Sequence, residues 1–202
     1  MMKLLLRIPV KLSVILLLTG CSMFSPVKEG PMQGYMLDSA PMIDSKLRQS
    51  SSTLLVLHPD TNPVYDSKRI AFTLKPHQVT YYNHSHWAQP PAAMLEPLMV
   101  KTLQRSKRYK SVLTPPYAGT YSFALRTQIQ ELRIDYTSRV PVVHMVLQAQ
   151  LINAKTNNLI SSREFSSIVP MSASNPYAAV IAANSATRRI LSKMVKWATV
   201  NT

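Results

Sequence analysis

Cysteine, glycine and acidic residues are all scarce in this sequence of 202 residues, which has one Cys, four Gly and nine Asp or Glu. A single cysteine excludes an intramolecular disulfide framework and argues against a cysteine-based zinc site. With so few glycines, the sequence contains no phosphate-cradling loop and no Gly-x-Ser-x-Gly elbow. The acidic residues form no close pair at a predicted strand end, where acid–base catalysis would need one. We therefore expect no enzyme, no metal site and no dissociable cofactor.

A hydrophobic run long enough to span a bilayer is also missing. The longest apolar run near the start covers residues 12–18, well short of the roughly 20 residues that a transmembrane helix needs. The eleven residues before this run contain three cations and no anion. The cations are Lys3, Arg7 and Lys11. This order is typical of an export signal. We therefore predict a signal peptide over residues 1–20.

The one cysteine stands directly after this signal. Leu18-Thr19-Gly20-Cys21 resembles the bacterial lipobox, in which a peptidase cuts before the cysteine and the thiol receives diacylglycerol. Cys21 is therefore the predicted lipidation site, and its acyl chains, such as palmitate, anchor the protein. Ser22 follows where an Asp would retain such a lipoprotein at the inner membrane, so the resemblance implies an outer-membrane anchor with the domain in the periplasm.

Negative charge is scarce relative to positive charge, since 23 Lys and Arg give a formal net charge of +14. Basic residues cluster within 101–110 and again within 188–196. Aromatic residues make up only 7% of the chain and form no platform on which nucleic-acid bases could stack. Anionic lipid head groups are a more natural target for a basic surface on an anchored protein. A merely solvated surface remains the alternative.

The pattern of apolar residues divides the mature chain into a tether and a domain. Residues 21–52 are rich in Pro, Gly and Ser and read as lipid anchor and linker, with one short edge strand possible at 35–37. Residues 53–202 form the predicted domain. Its fold class is α+β, a mixed or antiparallel sheet with two main helices packed on one face. The predicted strands cover 53–57, 69–74, 78–82, 121–135 with a bulge near Gln130-Glu131, 140–152 and 159–169, and the predicted helices cover 91–106 and 176–198.

An aromatic segment bounded by prolines, residues 79–91, is the most distinctive stretch. Tyr81, Tyr82 and Trp87 each combine a large apolar area with a polar tip, which suits both interfaces and packing. In one interpretation Trp87 closes the sheet against the first helix; in the other the three residues contact a partner. His84 and His86 lie between them and are expected to lie in a solvated loop, since a third metal ligand is not evident nearby.

This segment, Tyr-Tyr-x4-Trp-Ala-x-Pro before an amphipathic helix, resembles the ABC-type transport auxiliary lipoprotein family, which includes the lipoprotein of the paraquat-inducible Pqi system. Cys21, the early Tyr35-Met36-Leu37 and the strand beginning at Tyr121 also carry the resemblance. The family implies an accessory lipoprotein that works with an ABC permease, its ATPase and an MCE (mammalian cell entry) protein to move phospholipid. Members of such systems can form homo-oligomeric rings.

Two other functions remain open from the residues alone. The domain could itself bind lipid or an envelope polymer, or it could serve as an assembly or pilot subunit of a different envelope complex. A hydrolase would require an activated nucleophile, and no such constellation is evident in the sequence.

Overall fold

The computed structural model describes residues 30–43 and 49–202, which form strands, two helices and a short 3-10 turn at Pro63–Tyr65. The fold is α+β, as predicted. In chain order the elements are β1 (Gln33–Tyr35), β2 (Thr53–Val56), β3 (Asp60–Thr61), β4 (Arg69–Thr73), β5 (Thr80–Trp87), α1 (Pro91–Arg105), β6 (Ser111–Leu113), β7 (Phe123–Asp135), β8 (Val142–Asn153), β9 (Leu159–Pro170) and α2 (Pro176–Val200).

Strand β7 is the centre of a mixed, curled sheet. Along its whole length one edge pairs antiparallel with β8, which in turn pairs antiparallel with β9. The other edge is shared in succession by β2, β3 and β4, all parallel to β7. Beyond these short strands, β6 extends the sheet next to β2, and β5 and β1 extend it next to β4.

A β-bulge in β7 keeps its apolar side chains on the core side. The pairing with β8 shifts register between Ile129 and Glu131, where the sequence predicts a bulge. Leu125 and Ile129 are buried before the shift, and Leu132 and Ile134 are buried after it. Because side chains alternate across a strand, these two sets could not share a face without the extra residue.

Both helices cover the same side of the sheet. Helix α2 packs on β8 and β9, α1 packs on β2 and β6, and the two helices contact each other. The side chain of Asn175 caps α2 by accepting a hydrogen bond of 2.8 Å from the amide of Ala178, in agreement with the predicted start. The largest fully buried side chains come from both layers: Leu54, Ile70, Leu95, Met99, Leu103, Leu125, Ile129, Met145, Leu147, Leu151, Ile190 and Leu191.

The compact unit of the described residues begins at Met32, ahead of the boundary at residue 53 that composition indicates. A short strand is present, β1 at Gln33–Tyr35, two residues before the expected 35–37. Leu37 is buried in the core behind it. Part of the segment that composition assigns to the linker therefore packs with the domain through β1 and the buried Leu37.

One helix side chain fixes the backbone of this N-terminal segment. The Asn184 side-chain amide nitrogen donates to the carbonyl of Met36 at 2.9 Å. Its side-chain oxygen accepts from the amides of Asp38 at 2.9 Å and Ser39 at 3.1 Å. A single asparagine thus satisfies three backbone groups more than 140 residues away in sequence.

The expected loop at His84 and His86 is instead part of β5, which continues to Trp87. That prediction was wrong because Ser85, His86 and Trp87 pair with β1, a partner some fifty residues earlier that local patterning cannot reveal. The hairpin predicted from 69–74 and 78–82 is confirmed as antiparallel β4 and β5.

Replacing Asn184 with Ala should loosen the N-terminal segment. Loss of the side-chain amide leaves three backbone groups without their hydrogen-bond partner. This loss should lower the free energy of unfolding by about 1–3 kcal/mol. Hydrogen exchange followed by mass spectrometry should show faster exchange in the peptide containing Asp38 and Ser39. Ser185→Ala, the next residue along α2, is the control. Unchanged exchange in Asn184→Ala would show that the segment is held by other contacts.

Candidate interaction site

The β4–β5 hairpin carries the aromatic segment, and neighbouring strands hold it on both sides. Strand β7 runs beside β4, and β1 runs beside the far end of β5. The amide of Trp87 also donates to the carbonyl of Lys68 at 2.7 Å, and the amide of Ala88 donates to the carbonyl of Tyr35 at 2.7 Å. The hairpin is therefore a fixed part of the sheet. Its turn, residues 74–79, connects two strands that are each paired with a further strand.

Trp87 lies in the hydrophobic core, with only 3% of its surface exposed. It sits at the end of β5, just before α1 begins at Pro91. This placement agrees with the interpretation in which the indole closes the sheet against the first helix.

Tyr82 belongs to an aromatic cluster at the side of the hairpin. Its ring centroid lies 4.6 Å from that of Phe72, and Phe72 in turn meets Tyr136 edge-on at 5.9 Å. The hydroxyls of Tyr82 and Tyr136 share a hydrogen bond. Burial and this hydrogen bond raise the pKa of Tyr82 above its usual value, so the phenol stays protonated and neutral.

Tyr81 ties the hairpin to the 3-10 turn. Its hydroxyl donates to the carbonyl of Val64 at 3.3 Å, and the guanidinium of Arg69 lies 3.9 Å from the ring centroid. A cation at this distance over an aromatic face is attracted by the ring quadrupole. Tyr81 and Tyr82 both remain partly exposed, so each combines a packing role with an accessible edge.

The exposed apolar side chains of the hairpin lie at its turn. Leu74 is 55% exposed and Val79 is 46% exposed. Between them His77 adopts a positive φ of 65°, which reverses the chain. A hydrogen bond of 2.9 Å from the amide of Tyr136 to the carbonyl of Thr73 brings the β7–β8 turn alongside. We call Leu74 and Val79, with the residues between them, the hairpin tip.

A groove of about 490 Å³ runs beside the hairpin tip. Val79, Gln78 and His77 line one part, and Arg133 and Asp135 of β7 line another. The Arg133 guanidinium pairs with Asp135 at 2.7 Å and with Glu131. Arg133 therefore presents a fixed, largely neutralised charge next to the apolar tip, and this combination suits a protein contact.

Asp135 is held as a carboxylate by its neighbours in this groove. Burial by itself would raise its pKa, but three other effects outweigh burial and lower the pKa to about 2. The hydroxyl of Thr137 donates to it at 2.6 Å, the amide of Thr137 donates at 2.8 Å, and Arg133 supplies the opposite charge.

A second, polar cavity of about 630 Å³ lies between β3, β7 and β8. Two close polar pairs lie at this cavity: His58 Nδ1 is 2.6 Å from Glu96 Oε2, and Arg126 is 3.0 Å from Asp60. Neither pair holds a serine, threonine or cysteine nucleophile against a base, which is the arrangement that covalent catalysis needs.

The remaining predicted site residue is Cys21, which lies outside the described residues. None of the helices within the described part of the chain is long and apolar enough to cross a bilayer. Over residues 30–43 and 49–202, no group of three or more His, Cys, Asp or Glu side chains could hold a metal ion.

Comparison with protein families identifies the chain. The model of the ABC-type transport auxiliary lipoprotein component family matches residues 35–195. The chain belongs to this family. As an auxiliary lipoprotein it is a membrane-anchored component of the cell envelope that serves ABC-type transport, as the resemblance in sequence implies. No curated protein sequence matches the chain.

Solved structures support the fold of this auxiliary lipoprotein. Protein XCC0632 from Xanthomonas campestris, of the family DUF330, has a TM-score of 0.76 and 24% identity, with 83% of this chain and 95% of that chain covered. The hypothetical protein CT253 from Chlamydia trachomatis has a TM-score of 0.51 and 11% identity, with 74% and 96% covered. At these identities the likeness establishes the architecture alone.

Truncation of the buried indole should destabilise the auxiliary lipoprotein. Trp87→Ala should lower the free energy of unfolding by about 3–5 kcal/mol, the range for large aromatic side chains removed from a core. Urea denaturation followed by circular dichroism measures the loss. Leu74→Ala, at an exposed position, should change stability by no more than about 0.5 kcal/mol. A wild-type unfolding curve for Trp87→Ala would contradict a core role for this residue.

The ionised form of Asp135 should stabilise the fold in a pH-dependent way. Its pKa is near 2 when folded and about 3.9 when unfolded, so its contribution is complete above about pH 5 and is lost as the pH falls from about 4 toward 2. The stability difference between the wild type and Asp135→Asn should shrink over that range. Asp60→Asn, which removes an exposed ion pair, should cost at most about 1 kcal/mol. A difference for Asp135→Asn that stays constant down to pH 2 would contradict the assignment.

Proposed function

We propose that this protein is an outer-membrane-anchored accessory lipoprotein of an ABC/MCE-type phospholipid transport system, and that it acts by binding its MCE partner rather than by catalysis. The family match over residues 35–195 is the observation that carries the proposal. Acyl groups on Cys21 anchor the chain, and the segment that follows sets how far the domain reaches into the periplasm.

The hairpin tip is the part of the domain best suited to receive that partner. Leu74 and Val79 expose apolar surface on a turn whose base is fixed by β1 and β7. Full burial of such a side chain contributes about 1.5–3 kcal/mol. A rigid turn loses little conformational entropy on binding, so most of this contribution is available as affinity.

The aromatic residues support and extend this contact surface. Tyr81 and Tyr82 present their partly exposed edges beside the tip, and Trp87 positions the strand from within the core. The paired charges of Arg133, Glu131 and Asp135 supply a polar margin to the apolar centre. An apolar centre with a polar rim is the usual composition of a protein–protein interface.

Affinity capture from crosslinked envelopes tests the proposal. The full-length acylated protein is purified after crosslinking, and both proteins and lipids are identified by mass spectrometry. We expect an MCE-domain protein together with its ABC permease. Recovery of lipid alone, or of an unrelated envelope complex, would overturn the assignment of partners and favour a lipid-binding or pilot lipoprotein.

Charge placed on the hairpin tip should abolish this capture. The double variant Leu74→Asp, Val79→Asp should reduce recovery of the partner at least about tenfold, since the apolar contribution of two side chains is lost. Its thermal unfolding should match that of the wild type because both positions are exposed. The matched control is Leu159→Asp with Ile160→Asp, two exposed apolar residues at the start of β9. If the control abolishes capture and the tip variant does not, the tip is not the contact.

A further inference from the structure

The outward face of α2 has an unusual distribution of charge. The helix has 25 residues, among them four cations and no acidic residue. At about 100° per residue, its exposed positions form one broad stripe that covers about half of the helix circumference. The first half of the stripe is apolar, and the second half is basic up to the apolar Val200 at its end. Its exposed members are Tyr177, Ile181, Arg188, Arg189, Lys193, Lys196 and Val200.

The apolar half of this stripe continues onto the N-terminal segment. The ring centroids of Tyr35 and Tyr177 lie 6.4 Å apart. Met36 is 57% exposed, Tyr177 is 64% exposed and Ile181 is 50% exposed. These side chains and Arg188 line one groove of about 590 Å³. We call Met36, Tyr177, Ile181 and Arg188 the amphipathic patch.

The chemistry of the patch matches the surface of a lipid bilayer. Methionine, tyrosine and isoleucine insert at the boundary between head groups and acyl chains, and arginine and lysine attract anionic head groups. Within the described residues, none of the four α2 cations takes part in a salt bridge. Their charge is therefore available to a ligand of opposite sign.

The position of the patch along the chain also points to the membrane. The compact unit begins at Met32, eleven residues after Cys21. Even a fully extended chain of that length spans at most about 40 Å. The patch includes Met36 and so lies where the tether enters the domain. Anchoring on such a short tether raises the effective concentration of the patch at the bilayer, so individually weak contacts suffice.

We infer that the amphipathic patch and the basic half of α2 lie on the anionic surface of the membrane in which Cys21 is anchored. The domain is then oriented as well as tethered. The inference rests on the acyl anchor of the proposed function and is independent of the identity of the transport partner. A second copy of this chain in a two-fold contact is a poor occupant, since it would bring the four cations against four more. A head-to-tail contact between copies, as in a ring, is an outcome that the test below distinguishes.

A fluorescent probe on the patch tests the inference. Cys21 is the only cysteine of the chain and acylation consumes its thiol, so Ile181→Cys provides a unique site for an environment-sensitive dye. The full-length acylated variant is reconstituted into vesicles of phosphatidylethanolamine and phosphatidylglycerol. We expect blue-shifted emission that nitroxide-labelled lipids quench. The same dye at Gln128→Cys, on the sheet face away from the helices, should report water.

Charge reversal separates electrostatic contact from passive proximity. Arg188→Glu with Arg189→Glu should lower the equilibrium constant for the quenched state at least about tenfold, given the usual contribution of a cation close to an anionic surface. Replacing phosphatidylglycerol with phosphatidylcholine should act in the same direction. Lys101→Glu with Lys110→Glu, which changes exposed charge outside α2, should leave quenching unchanged.

Each alternative outcome overturns the inference in a distinguishable way. If the protein floats with vesicles but the dye at residue 181 reports water, the anchor stands and the orientation fails. If the protein does not associate with vesicles, the anchor and the orientation fail together. If the dye emission shifts to the blue in detergent solution as the protein concentration rises, without any vesicles, the patch is a contact between copies of the chain. Burial that requires the transport partner would make it a protein-binding surface.

Discussion

The pairing of β7 is the constraint on which the rest of the molecule depends. One edge of this strand is filled by β8, and the other edge receives β2, β3 and β4 in turn. The bulge between Ile129 and Glu131 sets which residues face the helices on each side of it. A slip of one residue would turn Leu132 outward and Arg133 into the core, where an unpaired charge is costly. The bulge therefore fixes both the core and the ion cluster of the groove.

Patterns of apolar residues were sufficient for the long elements and not for the short ones. The alternation of apolar residues through β7 predicts even its bulge. The helical spacing of apolar residues in 91–106 and 176–198 predicts both helices. Long elements repeat their pattern several times, and this repetition makes the pattern recognisable in the sequence. Strands β3 and β6 have two and three residues and exist only because longer neighbours offer free backbone groups. β1 and the far half of β5 pair with each other. The local sequence of these two segments predicts a linker and a loop, so their pairing could not be predicted from it.

The candidate site divides in the same way. Tyr81, Tyr82 and Trp87 stand out in sequence because aromatic residues are rare in this chain, yet their contacts give them mainly a supporting role. Leu74 and Val79, which the sequence analysis did not single out, are isolated apolar residues flanking Lys, Pro, His and Gln. Only their exposure on a rigid turn distinguishes them. The patch on α2 likewise needed the structure, since Met36 and Ile181 come together only through β1 and the bonds of Asn184.

In the proposed account, this lipoprotein has separate surfaces for the membrane and for its partner, and one sheet with its helices holds the two surfaces in a fixed relation. The most direct test is electron cryo-microscopy of the full-length acylated protein in a lipid nanodisc with its captured partner. The account predicts the partner at the hairpin tip and α2 along the lipid surface. Partner density on α2, with the hairpin tip in open solvent, would contradict it.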